Sequence, residues 1–304
     1  MTVHWRTEQP SRFKLMAFLD KHAHFVFMTP AILCLFVLTI FPILYTLWMS
    51  LHSWQVSTIH PPEFIGSANY ARLLFGDARM REAIVRTVVF TVSAVTVELV
   101  GGVVLALLFN RQFWGRGFLR SLAMLPMVTT PVAIGLIFVL MMHPTLGVLN
   151  YLLSLVGLKS LWIYDAVSVI PALILVDAWQ WTPLIMLMAL AALATLPNEP
   201  YEAARIDGAS AWQSFWLITL PLIRPALMVA VLFRGIDALK TFDVIFTMTG
   251  GGPANASETI NMYLFATAFT YFDMGYASTI VVVFFTIILA LAVLTIRFRR
   301  NDWQ

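Results

Sequence analysis

Two polar clusters interrupt otherwise apolar segments of this chain. One is Asp177, Trp179, Gln180 and Trp181; the other is Arg234, Asp237, Lys240 and Asp243. Ionisable side chains at membrane depth are costly and point by default to function. A sugar is held by planar hydrogen-bonding side chains together with aromatic faces that stack on its ring. Asp177, Gln180 and Trp181 supply both. Arg234, Asp237 and Thr241 are three and four residues apart, so on a continuous helix they share one face. Two readings of the second cluster stand side by side. It lines a polar cavity, or Arg234 and Asp237 neutralise each other along the helix, and Lys240 and Asp243 likewise. Glu98, in an earlier apolar segment, either joins the cavity or hydrogen-bonds a neighbouring subunit.

No set of residues here performs catalysis. The chain has no Walker P-loop, no HExxH, no Cys-x-x-Cys and no G-x-S-x-G. His52, His60 and His143 lack metal-ligand spacing and read as interfacial. The single cysteine, Cys34, excludes an internal disulfide framework and lies in an apolar run. Ala31-Ile32-Leu33 before it do not form a lipoprotein cleavage box.

The elements that must position the polar clusters are membrane spans. Of 304 residues, 60% are hydrophobic and 12% charged, a composition foreign to soluble globular domains. A spanning helix needs roughly 20 mostly apolar residues. Six stretches qualify, at about 26–51, 84–109, 119–142, 167–194, 222–246 and 276–296. The expected fold is therefore all-α, polytopic, with a short cytoplasmic segment over 1–25 and one transmembrane domain over 26–304. The first stretch is too long and too late for a cleaved signal peptide and reads as a retained anchor. Residues 11–19 are expected either to form a short amphipathic helix on the inner leaflet or to fray.

Charge sets the orientation. Arg6, Arg12, Lys14, Lys21, Arg111, Arg116, Arg120, Arg205, Arg224, Arg297, Arg299 and Arg300 fall on one side. Arg72, Arg79, Arg81 and Lys159 fall on the other. Twelve against four places both termini in the cytoplasm. The net charge of +3 has this topological cause; no basic face or run suggests nucleic acid.

The polar loop 195–221, between the fourth and fifth spans, lies on the cytoplasmic side. Pro197-Asn198-Glu199-Pro200 ends the fourth span. Glu202, Ala203, Ala204 and Arg205 are helix formers, and Gly208 stops the helix or lets a partner approach closely. Trp212, Phe215 and Trp216 follow at helical spacing.

The order Glu202-Ala203-Ala204, Asp207-Gly208, Ile218, Leu220-Pro221 resembles the EAA coupling loop of bacterial ATP-binding-cassette (ABC) importer permeases. Other stretches are similar to the carbohydrate, maltose-type group of these permeases. They are Phe64-Ile65-Gly66 with Asn69-Tyr70, Leu125-Pro126 with Pro131, and Gly147-Val148-Leu149-Asn150. Thr249-Gly250-Gly251-Gly252-Pro253, Glu258-Thr259 and Gly275-Tyr276-Ala277-Ser278 complete the likeness, which runs from residue 64 to 278.

The resemblance implies the type I importer permease fold in the bacterial cytoplasmic membrane. It also implies a second, related permease, two ATPase subunits that hold ATP and magnesium, and an extracytoplasmic binding protein. No cofactor is expected in this chain. Aligned on the EAA and Gly-Gly-Pro landmarks without a gap, Asp177, Gln180, Trp181, Leu184, Arg234, Ala238 and Thr241 fall where relatives line the sugar site. The residue types differ, so position transfers better than chemistry. The Gly250–Pro253 turn, outside at the mouth, either contacts the binding protein, closes the cavity or simply connects.

The expected function is import of a sugar, oligosaccharide or polyol by alternating access. The run Leu232-Phe233-Arg234, Asp237-Ala238, Phe242-Asp243 looks like trehalose-type permeases, while Arg234 leaves an anionic sugar derivative open. A proton- or sodium-coupled transporter is the rival, and it leaves the coupling loop without a purpose. An intramembrane enzyme would need a nucleophile–base or metal set that is absent from the sequence.

Overall fold

In the computed structural model, which describes residues 23–56 and 60–301, the chain is a bundle of helices. Helix α1 (Ala23–Ser50) leads into a two-stranded ribbon, β1 (His52–Ser53) and β2 (Glu63–Phe64), and then α2 (Ala68–Ala71). Next come α3 (Ala78–Asn110), α4 (Arg116–Val128), α5 (Pro131–Met141), α6 (Val148–Ser154) and α7 (Val169–Ala194). The last third holds α8 (Glu199–Ile206), α9 (Ala211–Ser214) and α10 (Leu220–Leu239). It closes with α11 (Asp243–Thr249), α12 (Ile260–Phe265) and α13 (Met274–Asn301).

Among the described residues five helices are long and apolar enough to cross a membrane, or six if α4 and α5 form one broken span. The expected straight third span over 119–142 is not there: α4 and α5 meet at 99°. Thr129 and Thr130 are extended, with ψ of 142° and 139°, and Pro131 opens α5. A residue before proline is driven out of the helical region, so the span breaks at that point.

The fifth span also differs from the expected 222–246. Its helix begins at Ala211, passes through a π-turn at Phe215–Thr219 and ends at Leu239. Thr241 therefore lies beyond the helix and does not share a helical face with Arg234 and Asp237, and Asp243 opens a separate helix. The amphipathic segment expected at 11–19 lies outside the described residues.

The core forms around α3, α7 and α10. Val103, Ala106, Met186, Leu190 and Ile223 are buried together toward one end, and Phe90, Phe138, Leu173 and Ile245 toward the other. A Cβ on Gly102 would lie 2.8 Å from Ile185 Cβ, so glycine lets α3 and α7 touch backbone to side chain one turn from Glu98. By contrast α1 leans on α13 and presents large side chains outward, Phe27 82% and Leu38 74% exposed.

Several of the family-like landmarks turn out to close loops. Asn69 Nδ2 donates to the carbonyls of Ser50 and His52, at 3.2 and 3.0 Å, pinning the end of α1. Asn150 Nδ2 donates to Pro144 and Ser160, and its Oδ1 accepts from Trp162 Nε1 at 2.9 Å. A Cβ on Gly275 would meet the His52 carbonyl at 2.1 Å, a contact only glycine permits. Arg79 binds both oxygens of Glu258 and donates to Asn255 and Tyr271, tying the Gly250–Pro253 segment to the start of α3. Arg79 and Arg72, read in the sequence only as orientation signals, thus have partners; Arg72 pairs with Asp273.

Asp77 caps α3 by accepting from Met80 N–H, and the hydroxyls of Tyr263 and Tyr276 both donate to it. Burial alone would raise its carboxyl. The two tyrosine hydroxyls and the Met80 amide outweigh burial and hold it below the ordinary carboxylate value.

Candidate functional site

Arg234, on α10, is the largest fully enclosed side chain among the described residues. Its Nη2 donates to Asp177 Oδ2 on α7. Nη1 donates to Asp237 Oδ2 at 3.1 Å, and Nε lies 2.8 Å from Glu98 Oε2 on α3. The Glu98 contact is an ion pair by distance without the alignment of a hydrogen bond. The guanidinium sits 5.2 Å from the centre of the Trp181 ring. One cation thus joins three helices. Neutralisation by Asp237 alone is too small a description, and Glu98 is spent inside this chain, not on a neighbouring subunit.

Above this knot lies a small polar cavity of about 180 Å³. Asp177, Trp181, Asp237, Lys240, Thr241, Phe242 and Asp243 line it, with Pro131 and Val244 completing the wall. The break after Leu239 is what turns Thr241, Phe242 and Asp243 toward α7. Lys240 is the C-cap of α10 and Asp243 sits in the first turn of α11, each at the helix end that suits its charge. They form no ion pair with each other, so for these two the neutralisation reading falls.

The structure therefore brings together four of the expected site residues, Asp177, Trp181, Asp237 and Thr241. Arg234 lies beneath them, and Ala238 is buried behind, 1% exposed. Gln180 is also enclosed, but it points elsewhere: its Nε2 donates at 3.2 Å to the Thr129 carbonyl that the α4–α5 break sets free. Leu184 is half-buried and outside the cavity. Pro131 and Phe242 were missed as walls. Pro131 was visible as a breaker, but its place opposite Trp181 depends on the bend. A second cavity, of about 1,260 Å³, lies between α3, α4 and α7 with almost wholly apolar walls, Trp179 among them.

The loop after α7 is built differently. No residue of α8 is buried; Glu202, Ala203 and Asp207 are exposed, Ala204 half-buried, and Ile206 is 87% exposed. Pro200 sits in the first turn, where its missing N–H costs nothing. Gly208 has φ of +75°, and Gly208 and Ala209 donate their amides to Arg205 and Ala204, closing the helix end. Among the described residues nothing lies within 4 Å of where its Cβ would be. Conformation, not crowding within the subunit, accounts for this glycine.

Ser210 and Gln213 form a reciprocal capping box that starts α9. Tyr201 Oη lies 3.0 Å from Thr219 Oγ1, fastening α8 to the start of the fifth span. Ile218 lies in the π-turn, Leu220 packs on the inner core, and Pro221 is exposed near the start of α10. Trp212, Phe215 and Trp216 cluster with ring centres 5.3 to 6.2 Å apart.

Residues 98–301 match the binding-protein-dependent transport system inner membrane component family. The chain belongs to that family: it is an ABC-transporter permease subunit of the inner membrane. It is 35% identical over 284 residues to the trehalose/maltose transport system permease protein MalF of Thermococcus litoralis, covering 91% of this chain and 94% of that one. It is 33% identical over 283 residues to the sulfoquinovosyl glycerol transport system permease protein SmoG of Agrobacterium fabrum, covering 93% and 92%. A solved bacterial ABC transporter involved in import of the acidic polysaccharide alginate superposes with a TM-score of 0.79 at 21% identity. That match covers 95% of this chain and 99% of the other, and shows the shared fold.

Proposed function

We propose that this chain is one of two permease halves of an ATP-driven importer for a sugar, oligosaccharide or polyol. The observation that carries the reading is the cavity where Trp181 stands beside Asp177, Asp237 and Thr241. Ring stacking and hydroxyl-binding groups together are what a sugar requires. The names of the trehalose/maltose and multiple sugar permeases among its relatives support the same class.

Both termini and the α8 loop lie in the cytoplasm, by the charge asymmetry. Glu202, Ala203, Ala204, Asp207 and Gly208 present α8 to an ATPase subunit; Ile218, Leu220 and Pro221 connect it rigidly to the fifth span. ATP and magnesium are bound and used in two ATPase chains. Their closure moves α8, and the permease pair alternates between an outward state, which receives solute from an extracytoplasmic binding protein, and an inward one. A related permease structure solved with a periplasmic binding protein carrying an alginate pentasaccharide supports such a partner. An ion-coupled transporter gains no support, because the exposed, rigidly fastened α8 would then serve nothing.

The test is uptake in proteoliposomes that hold the whole importer. Trp181→Ala removes the stacking face, worth about 1–3 kcal/mol, so transport efficiency should fall about ten- to a hundredfold. Trp181 also covers Arg234, so Thr241→Val is the companion: it removes one hydroxyl remote from the knot. Both variants should leave the isolated binding protein's affinity unchanged. Wild-type uptake in both would move the substrate seat out of this cavity.

A further inference from the structure

We infer that the apolar groove between α3, α4 and α7 seats an anionic phospholipid of the inner leaflet, its acyl chains in the groove and its phosphate among Arg111, Arg116 and Arg120. The inference needs the membrane location of the chain and not the identity of the solute. The reading above enters it only in naming the leaflet.

The groove holds about 1,260 Å³; Val97 to Leu108 span its α3 wall, with Leu122 and Leu125 on α4 and Trp179 on α7. Leu108, Leu122 and Leu125 stay exposed, so it opens to the side of the bundle. From Val97 to Leu108 is about 17 Å along a helix. That is about half of the roughly 30 Å hydrocarbon core, or one leaflet, where a partner's span would run through both. Walls left empty forfeit their dispersion contacts, so an open groove at membrane depth is filled. The one glycine in the wall is not available for close approach of a foreign helix. A Cβ on Gly101 would lie 3.3 Å from Thr182 Cγ2 of this same chain.

Charge then chooses among lipids. The turn after α3 and the start of α4 close one end of the groove, where Phe113 and Leu119 are wall residues. Arg111 lies in that turn. Arg116 and Arg120 lie on α4, three residues before Leu119 and Ala123, so each shares a helix face with a wall residue. Among the described residues none of the three takes part in an ion pair. The sequence has no acidic residue between Glu98 and Asp165 that could serve them. Arg116 and Arg120 are nevertheless half-buried. Trp114 beside them is 99% exposed, as suits an aromatic ring at the boundary between lipid and water. A guanidinium grips phosphate oxygens through two parallel N–H groups. Basic pockets between spans on the cytoplasmic side select anionic headgroups. Topology alone asks only for positive charge in a loop, as at exposed Arg205 and Arg224. It does not ask for half-buried, unpaired arginines at the end of an apolar slot.

The experiment uses the whole importer in dioleoylphosphatidylcholine nanodiscs that carry a minor share of a photoreactive lipid. The probe is phosphatidylglycerol or phosphatidylcholine, each with the same diazirine-bearing acyl chain, and labelled peptides are mapped by mass spectrometry. Each arginine near the surface is worth about fivefold in anionic-lipid binding. The glycerol probe should therefore label the groove peptides of α3 and α4 at least about tenfold more than the choline probe. Arg116→Gln and Arg120→Gln should each lower that ratio about two- to fivefold, and the triple change with Arg111→Gln should bring it close to one. Arg224→Gln, on the same side but away from the groove, should leave it unchanged. The wild-type comparison and the single variants keep the inference testable if the triple variant inserts poorly. Equal labelling by the two headgroups overturns it, as does a ratio that falls as much in Arg224→Gln as in Arg116→Gln. Groove walls labelled by neither probe mean that the second permease covers them, and the inference fails. None of these outcomes bears on sugar uptake, so the proposed function stands or falls separately.

Discussion

The polar groups of the cavity and those of the α8 loop find their partners in opposite places. Around Arg234 every ion pair closes within the chain, on residues from α3, α7 and α10. Around α8 the charges of Glu202, Arg205 and Asp207 and the large side chain of Ile206 all point outward. The solvent explains the contrast. In hydrocarbon a charge has no water to fall back on, so it must be satisfied by its own bundle. In water a charged helix carries no such penalty and its contacts can be left for another protein. The first region is fixed by internal necessity, and the second leaves its side chains exposed.

The most damaging way to break this contrast is to remove the cation. Arg234→Met leaves Glu98 and Asp177 buried without a counter-charge, and breaking a buried ionic set this way costs about 3–5 kcal/mol. The folded fraction of the detergent-solubilised subunit, followed by size exclusion after heating, should collapse. Adding Asp237→Ala should not rescue it, because Glu98 and Asp177 remain. Adding Glu98→Gln and Asp177→Asn together should restore much of the lost stability. Arg234→Lys should rescue little, since a point-charge ammonium cannot span three carboxylates as a planar guanidinium does. Arg224→Ala, exposed near the start of α10, should stay within about 0.5 kcal/mol. If Arg234→Met is as stable as Arg224→Ala, the knot is not structural.

These residues also mark where the sequence could be read and where it could not. The polar types on the fourth and fifth spans were plain, because charges stand out against lipid-facing runs. That Glu98 completes the Arg234 set was not, since pairing between distant helices leaves no local periodicity. Gln180 looked like a sugar ligand. Its real task, serving the Thr129 carbonyl, exists only because the chain breaks before Pro131. Proline in a span signals a kink or a break alike, and the size of the turn, 99°, cannot be read from the proline itself. The fifth helix was placed too late because polar Gln213 and Ser214 mask its first turns. That error carried Thr241 onto a helix face it does not occupy. The position of the α8 helix was legible to within a few residues, because prolines and a glycine bracket it.

Gly208 sharpens the other side of the comparison. Its φ of +75° suits glycine and, less well, asparagine. A bulky partner contact and a backbone requirement make different predictions here. Gly208→Ala strains the helix end by about 1 kcal/mol and should cut substrate-stimulated ATPase activity several-fold in the assembled importer. Gly208→Asn adopts the left-handed conformation more readily. It should keep most of the stimulation if backbone shape is what matters, and lose it if close approach of the ATPase is. Gly208→Asp, bulky and charged, should abolish stimulation under the second reading while leaving insertion intact. Normal stimulation in all three would remove α8 from the coupling path.

The smallest effect is expected at Ser210. Its hydroxyl accepts from Gln213 N–H at 3.3 Å and Gln213 Oε1 accepts from Ser210 N–H at 2.8 Å, so the pair sets the angle at which the α8 turn enters the fifth span. Ser210→Ala removes the first of these bonds, and loss of an N-cap costs about 0.5–2 kcal/mol. The cost is local, because α9 is exposed and carries no core. Thermal stability of the whole subunit should therefore scarcely change, in contrast to Arg234→Met. What should change is transmission: a frayed joint lets α8 move without carrying α10. Stimulated ATPase activity would persist while uptake per ATP hydrolysed falls by about two- to thirtyfold, on the scale of that cap energy. Ser210→Asp restores the cap acceptor and should restore the ratio. If Ser210→Ala lowers stability and uptake together, the joint belongs to the core, and the division between an internally fixed region and an outward-facing one would have to be drawn on the far side of α9.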